Sequence, residues 1–192
     1  QGAGLSMTLA NANSYQGITT IGDGTVYVGN AGSLGAGAST IGLGGAVGTA
    51  QTPSLLTYGG VTFLRNIATA TNTSAASVMT VGGITTDSAG FSGSITLGNT
   101  AGLFLTASTG GTSEFSGNIT QNIGTAGGIT KTGGGVVILS GGANTFTAGV
   151  TVNNGTLRLG SAVGAQTRIA VAAAGTFDLN GNNVSATTLT DV

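Results

Sequence analysis

A short phrase recurs along this chain: a glycine, an optional residue, isoleucine or valine, and then threonine. Copies begin at Gly17, Gly60, Gly83, Gly93, Gly117, Gly128 and Gly149. In the clearest match, residues 91–96 and 115–120 agree at five of six positions. Three pairs of copies (60 and 83, 93 and 117, 128 and 149) are spaced by roughly 20–24 residues, and self-similarity at a period of about 20–50 residues indicates stacked structural units.

A unit this small cannot bury its own apolar face, so it must stack on copies of itself. Only short strands and turns fit within about 22 residues. The period therefore predicts an all-β chain, folded as a right-handed parallel β-helix (a β-solenoid) with about 20–24 residues per coil. At a strand spacing of about 4.8 Å, about nine coils would form a rod of roughly 40 Å. An antiparallel sandwich is the alternative, although that fold does not require the period.

The local pattern also favours strands. Glycine falls every few residues and glutamate and lysine occur once each, which disfavours helix. Short runs alternate apolar and polar residues, as strands with one buried face do. Clusters rich in Gly, Asn and Asp separate these runs and are typical of turns. The alternating runs are 25–28, 102–105, 156–159 and 176–179.

Composition excludes several classes of function. Only 5% of residues are charged, and the chain has four basic residues, five acidic residues, and no His or Cys. Four dispersed cations cannot neutralise a nucleic-acid backbone or hold an anionic membrane. Without Cys or His there is no disulfide, no zinc–thiolate site and no Ser-His-Asp hydrolase. We expect no nucleic-acid partner and no membrane insertion, since the purest apolar run is only 169–174.

A longer repeat aligns residues 12–29 with residues 143–160 at a shift of 131 without gaps. Apolar character is kept at the positions expected to point inward. Within 128–160, three features occur in order: Lys131-Thr132-Gly133, then Asn144-Thr145-Phe146, then Asn154-Gly155-Thr156-Leu157. This stretch resembles the autotransporter passenger-associated β-strand repeat. A weaker copy at 4–29 is similar to the same repeat but lacks the Lys-Thr-Gly opening.

The resemblance implies a secreted bacterial passenger with a right-handed β-helix, exported across the outer membrane and displayed on the cell surface. It also implies an adhesin, or a stalk that carries other domains. We expect residues 1–192 to be a single β-solenoid segment, a slice of a longer passenger or fibre, with repeat units near 4–29 and 128–160. The opening at Gln1 fits a mature product or such a slice.

The charged residues suggest no chemistry. A glycosidase needs paired carboxylates, and a β-helix lyase would use clustered basic residues with acidic metal ligands. The sequence shows neither cluster, and we predict no catalytic, cofactor-binding or metal site and no cofactor. Lys131 is expected to be a solvated charge at a strand end. The acids are Asp23, Asp87, Glu114, Asp178 and Asp191, and the other bases are Arg65, Arg158 and Arg168.

The repeats single out other residues, and each has a structural interpretation. Asn13, Asn144 and Asn154 are expected at coil corners, where asparagine satisfies backbone groups. Tyr15 and Phe146 are expected to anchor the core. Ile138 and Leu157 are expected to point inward.

These observations predict a non-enzymatic structural segment of an extracellular adhesin, stalk or fibre. No polar cap is found at either end, and residues 24–64 carry no charge, so the open ends are expected to self-associate. One alternative is a surface-binding module for a glycan or a host surface, which needs an exposed aromatic or apolar patch. A carbohydrate-active β-helix enzyme is the second alternative, which needs charges gathered on one face.

Overall fold

Alternating apolar residues and close turns shape the whole chain into short strands that run around a common interior. The computed structural model describes residues 4–45, 48–71, 77–98, 102–122, 124 and 127–192. These residues form twenty β-strands in three sheets and contain no helix. In β3, Val26 and Val28 are buried while Thr25 and Tyr27 face outward, as the alternation predicts.

The three sheets form the sides of the solenoid. The nine-stranded sheet, in spatial order, contains β1 (Ser6–Leu9), β3 (Thr25–Val28), β5 (Ser54–Thr57), β8 (Met79–Gly83), β11 (Leu103–Ala107), β14 (Ile129–Thr132), β16 (Val150–Val152), β18 (Gln166–Val171) and β20 (Ala186–Asp191). The six-stranded sheet contains β6 (Thr62–Phe63), β9 (Ser88–Phe91), β12 (Thr112–Phe115), β15 (Val136–Leu139), β17 (Gly155–Leu159) and β19 (Gly175–Asp178). The five-stranded sheet contains β2 (Thr19–Ile21), β4 (Ile41–Leu43), β7 (Ile67–Thr69), β10 (Ile95–Leu97) and β13 (Ile119–Gln121).

Neighbouring strands are parallel and belong to successive coils. The predicted all-β parallel solenoid is confirmed, and the antiparallel alternative is wrong. The described coils make about seven turns instead of nine. Their lengths vary on both sides of the predicted period, since Ser6 pairs with Thr25 and Val150 with Ile169 across shorter stretches. Tyr27 pairs with Leu56, and Leu103 pairs with Ile129, so each of these coils exceeds the expected length.

Only some of the recurring phrases stack on one another. Phe91 pairs with Phe115 and Ile95 with Ile119, which confirms the repeat that the sequence shows between these two copies. The phrases at 128 and 149 also stack, in the nine-stranded sheet. The copies at 60 and 83 do not, because Thr62 begins a strand of the six-stranded sheet whereas Gly83 ends a strand of the nine-stranded one.

The copies related by the long repeat occupy different sides of the solenoid. β2 and β3 lie in the five- and nine-stranded sheets, whereas their counterparts β16 and β17 lie in the nine- and six-stranded sheets. The expected inward positions are nevertheless buried in both copies: Ile21, Val26, Val28, Val152, Leu157 and Leu159. The repeat therefore encodes a strand–turn–strand corner, which the chain uses at two different corners.

The interior is built from columns of side chains that run from coil to coil. In the six-stranded sheet, Phe63, Phe91 and Phe115 lie in one column, with ring centroids 6.4 Å and 4.7 Å apart, and the second pair is stacked. Leu139 and Leu159 continue this column. Ile138 faces outward and is half-buried, so its predicted inward position is wrong. Leu157 is fully buried, as predicted.

Glycines at two corners allow the coils to approach closely. A Cβ built on Gly117 would lie 2.1 Å from the carbonyl oxygen of Gly93, and one on Gly141 would lie 2.5 Å from that of Gly117. At the other corner, a Cβ on Gly155 would lie 2.4 Å from the carbonyl oxygen of Gly135. We call the first set, Gly93, Gly117 and Gly141, the glycine ladder. No side chain larger than hydrogen fits at these corners without moving the backbone of the preceding coil.

The third side of the solenoid changes towards the C-terminal coils. The five-stranded sheet ends at β13, and beyond it Asn144 forms an isolated parallel bridge with Val163. The coils shorten at the same place, since Val150 pairs with Ile169 across a shorter stretch of chain than the one that separates Leu103 from Ile129. The coils after Asn144 are therefore built from fewer residues than those in the middle of the chain.

Candidate functional site

Two acidic side chains, those of Asp23 and Glu114, join neighbouring coils. Asp23 Oδ1 accepts hydrogen bonds from Thr52 N at 2.9 Å, from Gly24 N at 2.9 Å and from Thr52 Oγ1 at 3.1 Å. The bond from the Thr52 backbone is the main reason that the pKa of Asp23 lies below its ordinary value. Glu114 Oε1 accepts from Ser140 Oγ at 2.6 Å. The bonds from Thr52 and from Ser140 each join one coil to the next.

One ion pair lies on the outer face of the six-stranded sheet. Arg158 Nε is 2.7 Å from Asp178 Oδ2, and Asn180 N donates to Asp178 Oδ1. The hydrogen bond from Arg158 lowers the pKa of Asp178 below its usual range. Asp87 lies in the turn before β9 and Asp191 ends β20. Within the described ranges, no group of three or more His, Cys, Asp or Glu residues could hold a metal ion.

Two of the remaining basic side chains bind backbone or hydroxyl groups. Arg65 donates from Nε and Nη2 to the carbonyl oxygen of Ser39 at 2.9 and 2.6 Å, and from Nη1 to that of Leu34. Arg168 Nη2 donates to Thr151 Oγ1 at 3.3 Å. Both side chains span neighbouring coils, so they act as structural links.

Lys131 lies inside the solenoid, and its predicted role as a solvated strand-end charge is wrong. Its side chain is 0% exposed and occupies the inward column between Leu105 and Val152. Nζ donates to the carbonyl oxygens of Thr132 at 2.7 Å, Gly133 at 2.7 Å and Asn154 at 2.9 Å. Burial lowers the pKa of Lys131 to about 8. Alternation with the buried Ile129 is the sequence signal that could have placed it inward.

Asn144 and Asn13 lie at corners and bind backbone groups there, as predicted. Asn144 is buried, accepts at Oδ1 from Ile119 N at 2.8 Å and donates from Nδ2 to Gly141 O at 2.8 Å. Asn13 Nδ2 donates to Ser33 O at 2.7 Å. Asn154 contributes its own carbonyl to Lys131. Asn144 and Asn13 therefore connect backbone segments of different coils, whereas Asn154 binds the Lys131 side chain through its backbone carbonyl.

The two predicted aromatic anchors differ. Phe146 is fully buried, as predicted. Tyr15 is 42% exposed, and its hydroxyl lies 3.2 Å from Thr19 Oγ1, so its assignment to the core is wrong.

A shallow groove on the outer face of the nine-stranded sheet was not predicted. It is lined by Thr8, Tyr27, Tyr58 and Ile84 and has a volume of about 270 Å³. Its residues come from successive coils, since β3 pairs with β1 on one side and with β5 on the other. We call it the Tyr27–Tyr58 groove. Tyr27 alternates with the buried Val26 and Val28, and this pattern could have predicted that Tyr27 faces outward.

Comparison with known families identifies the repeats. The family model of the passenger-associated-transport-repeat matches residues 6–28 and 129–159. The chain carries two passenger-associated transport repeats. Together with the β-solenoid, they support an autotransporter passenger domain with β-strand repeats, which confirms the resemblance found in the sequence. Autotransporter passengers are exported to the cell surface. Comparison with curated proteins and with solved structures gave no match.

The second repeat contains several of the buried residues described above. Residues 129–159 include β14 to β17, Lys131, Asn144 and Phe146. The first repeat includes β1 to β3 and has no counterpart of Lys131. In the part of the chain that the structure describes, no helix has the length and apolarity needed to cross a membrane.

The two ends of the passenger segment expose apolar side chains. Ile18 is 80% exposed at one end and Leu189 is 75% exposed at the other. A cup of about 330 Å³ lies at the first end, lined by residues such as Met7 and Leu34. A cup of about 550 Å³ lies at the second, lined by residues such as Phe177.

The buried ammonium of Lys131 predicts a specific pH dependence. The unfolded chain binds this proton up to a pH of about 10.4, whereas the folded chain releases it near 8, so the free energy of unfolding should rise over that range. Relative to Lys131→Met, the rise should reach at most about 3 kcal/mol. Urea denaturation of both chains over this pH range is the measurement. If the free energy of unfolding depended on pH in the same way in both chains, the interior position of Lys131 would be contradicted.

Asn144 predicts a stability loss that its repeat counterpart should not share. Asn144→Ala leaves the buried N–H of Ile119 without its acceptor, so the free energy of unfolding should fall by about 2 kcal/mol. Asn13→Ala is the matched control, because Asn13 is exposed and its side chain donates to Ser33 O and Asn11 O without accepting a buried N–H. Denaturant midpoints of the two variants check this. Equal losses would show that Asn144 has no special role at its corner.

Proposed function

We propose that this segment is a non-enzymatic structural rod of an extracellular passenger on the bacterial cell surface, serving an adhesin, stalk or fibre. The observation that carries the proposal is the nine-stranded sheet, which runs from β1 to β20 along all the described coils. Buried apolar residues fill the interior from Ile21 to Ile169. Because every coil packs on its neighbours, the fold gives length and stiffness without needing a site.

The use of the charged side chains supports the same role. Asp23 and Glu114 bind neighbouring coils, and Lys131 and Arg65 bind backbone carbonyls. Glycoside hydrolysis needs a pair of carboxyl groups placed on either side of a substrate. Because these acids are engaged in holding the coils together, we do not propose a carbohydrate-active enzyme.

A replacement experiment tests the rod. In a passenger displayed on cells, residues 4–192 would be exchanged for an unrelated solenoid of equal length, or for a half-length one. If the segment is a rod, the equal-length exchange keeps the distance from the cell surface to a fluorescent tip, and the half-length one shortens it. Loss of passenger activity in the equal-length exchange, with the tip distance unchanged, would contradict a purely structural role.

We also propose that the end coils associate with further solenoid coils, from neighbouring segments or from a second copy. The exposed Ile18 and Leu189, together with unpaired strand edges at β1 and β20, support this. Negative-stain microscopy of the purified chain tests it. Filaments that disappear in Leu189→Lys support association between copies, and single short rods that remain monomeric at high concentration argue against it.

A surface-binding module is the second candidate function. The Tyr27–Tyr58 groove favours this function, because it gathers two of the three tyrosines of the chain on an outward surface.

A further inference from the structure

The Tyr27–Tyr58 groove is an aromatic surface without a structural task inside the fold. Tyr27 and Tyr58 are half-buried and face outward, whereas Phe63, Phe91, Phe115 and Phe146 are buried in the core. Among the described residues, the hydroxyls of Tyr27 and Tyr58 have no hydrogen-bond partner. Both groups are therefore available to a ligand.

The shape of the groove depends on one glycine. A Cβ built on Gly29 would lie 2.4 Å from Cζ and 2.5 Å from the hydroxyl oxygen of Tyr58. The tip of the Tyr58 ring therefore rests where a side chain of residue 29 would stand. Since Tyr58 N donates to Val28 O at 3.1 Å, the ring is also anchored to the coil that carries Tyr27.

We propose that the Tyr27–Tyr58 groove binds an uncharged saccharide, a function beyond that of the rod. The C–H faces of a sugar ring are weakly positive and pack on the negative faces of aromatic rings, while the phenol hydroxyls can bond sugar hydroxyls. The lining residues, Thr8, Tyr27, Tyr58 and Ile84, carry no charge, which matches a neutral ligand. Thr8 is exposed at one edge and adds a third hydroxyl.

The size of the groove argues against a second copy of the chain as the occupant. A stable protein interface needs about 800 Å² from each partner. The groove is lined by four residues and encloses about 270 Å³. That volume lies just below the range of ordinary small-molecule sites, about 300–1,000 Å³. One or two sugar rings fit this scale.

Binding can be measured with the intact chain. The probes are the tetrasaccharides of β-linked glucose and of N-acetylglucosamine, with a tetrasaccharide of uronic acid as the charged comparison. Tyrosine fluorescence reports contact directly because the chain has no tryptophan. Ligand-observed NMR gives the dissociation constants. We expect a neutral tetrasaccharide to bind and the charged one to bind at least about tenfold more weakly.

Variants locate the site. Tyr58→Ala and Tyr27→Ala should each weaken binding by about tenfold or more, and Tyr58→Phe should weaken it less. Gly29→Ala should displace the Tyr58 ring and weaken binding without removing any aromatic group. Tyr15→Ala and Gly17→Ala are the matched controls, since Tyr15 lies outside the groove and a Cβ on Gly17 meets nothing within 4 Å. Melting temperatures of all variants separate lost binding from lost folding.

Three outcomes would overturn the proposal. In the first, no neutral tetrasaccharide changes the tyrosine fluorescence at millimolar concentration. In the second, Tyr15→Ala weakens binding as much as Tyr58→Ala in folded chains. In the third, the chain forms dimers that Tyr58→Ala dissociates, which would make a second copy the occupant of the groove.

Discussion

Replacing Gly117 with alanine is expected to lower the free energy of unfolding by at least about 4 kcal/mol. The new Cβ would stand 2.1 Å from the carbonyl oxygen of Gly93, where backbone and not a flexible side chain must move. Moving that backbone separates two coils and weakens the hydrogen bonds between β9 and β12. Chemical denaturation followed by circular dichroism measures the loss.

Gly142→Ala is the matched control for the glycine ladder. Gly142 is exposed and a Cβ on it would meet nothing within 4 Å. Its effect should stay within about 0.5 kcal/mol. If Gly117→Ala and Gly142→Ala had the same denaturation midpoint, the coils would not approach as closely at this corner as the structure shows.

Leu157→Asp is expected to cost more than about 4 kcal/mol, because it puts an unpaired carboxyl group inside the solenoid. Leu157 is fully buried, and it stacks between Val137 and Phe177. Contacts in a solenoid reach only neighbouring coils, so the damage should begin there. Hydrogen exchange should show lost protection first in β15, β17 and β19.

The control for this variant is Ile138→Asp, in the adjacent coil. Ile138 faces outward and pairs with Glu114 on one side and Arg158 on the other. A new carboxylate there remains in water and is repelled by one neighbour while it is attracted by the other. Its effect should be below about 1 kcal/mol. Equal exchange in the two variants would contradict the assignment of Leu157 to the inner face and Ile138 to the outer face.

The solenoid was predictable because its signal is carried by local patterns. The stacked phrases at Phe91 and Phe115 indicated parallel coils, and the alternation around Val26 and Leu157 placed those side chains inward. The number of turns was not predictable from them. A period read from a few copies says little about a coil as long as the one from Tyr27 to Leu56.

The misplaced residues have physical explanations. Val136–Leu139 is a continuous apolar run, so its pattern does not say whether Val137 or Ile138 points inward. Charge suggested solvent for Lys131, but its long stem fills the interior while Nζ reaches carbonyl oxygens at the corner. The position of Tyr58 beside Tyr27 depends on the register between coils, which the sequence pattern does not specify.

The short coils have a mechanical consequence. The resistance of a beam to bending falls steeply as its cross-section shrinks, and the coil that joins Val150 to Ile169 has fewer residues than the one that joins Leu103 to Ile129. The first coil, from Ser6 to Thr25, is as short as the last ones. Under a lateral load, such as fluid flow over a cell, deflection would concentrate at the two ends. The segment would then behave as a stiff middle between two compliant joints, with the Tyr27–Tyr58 groove beside the first of them.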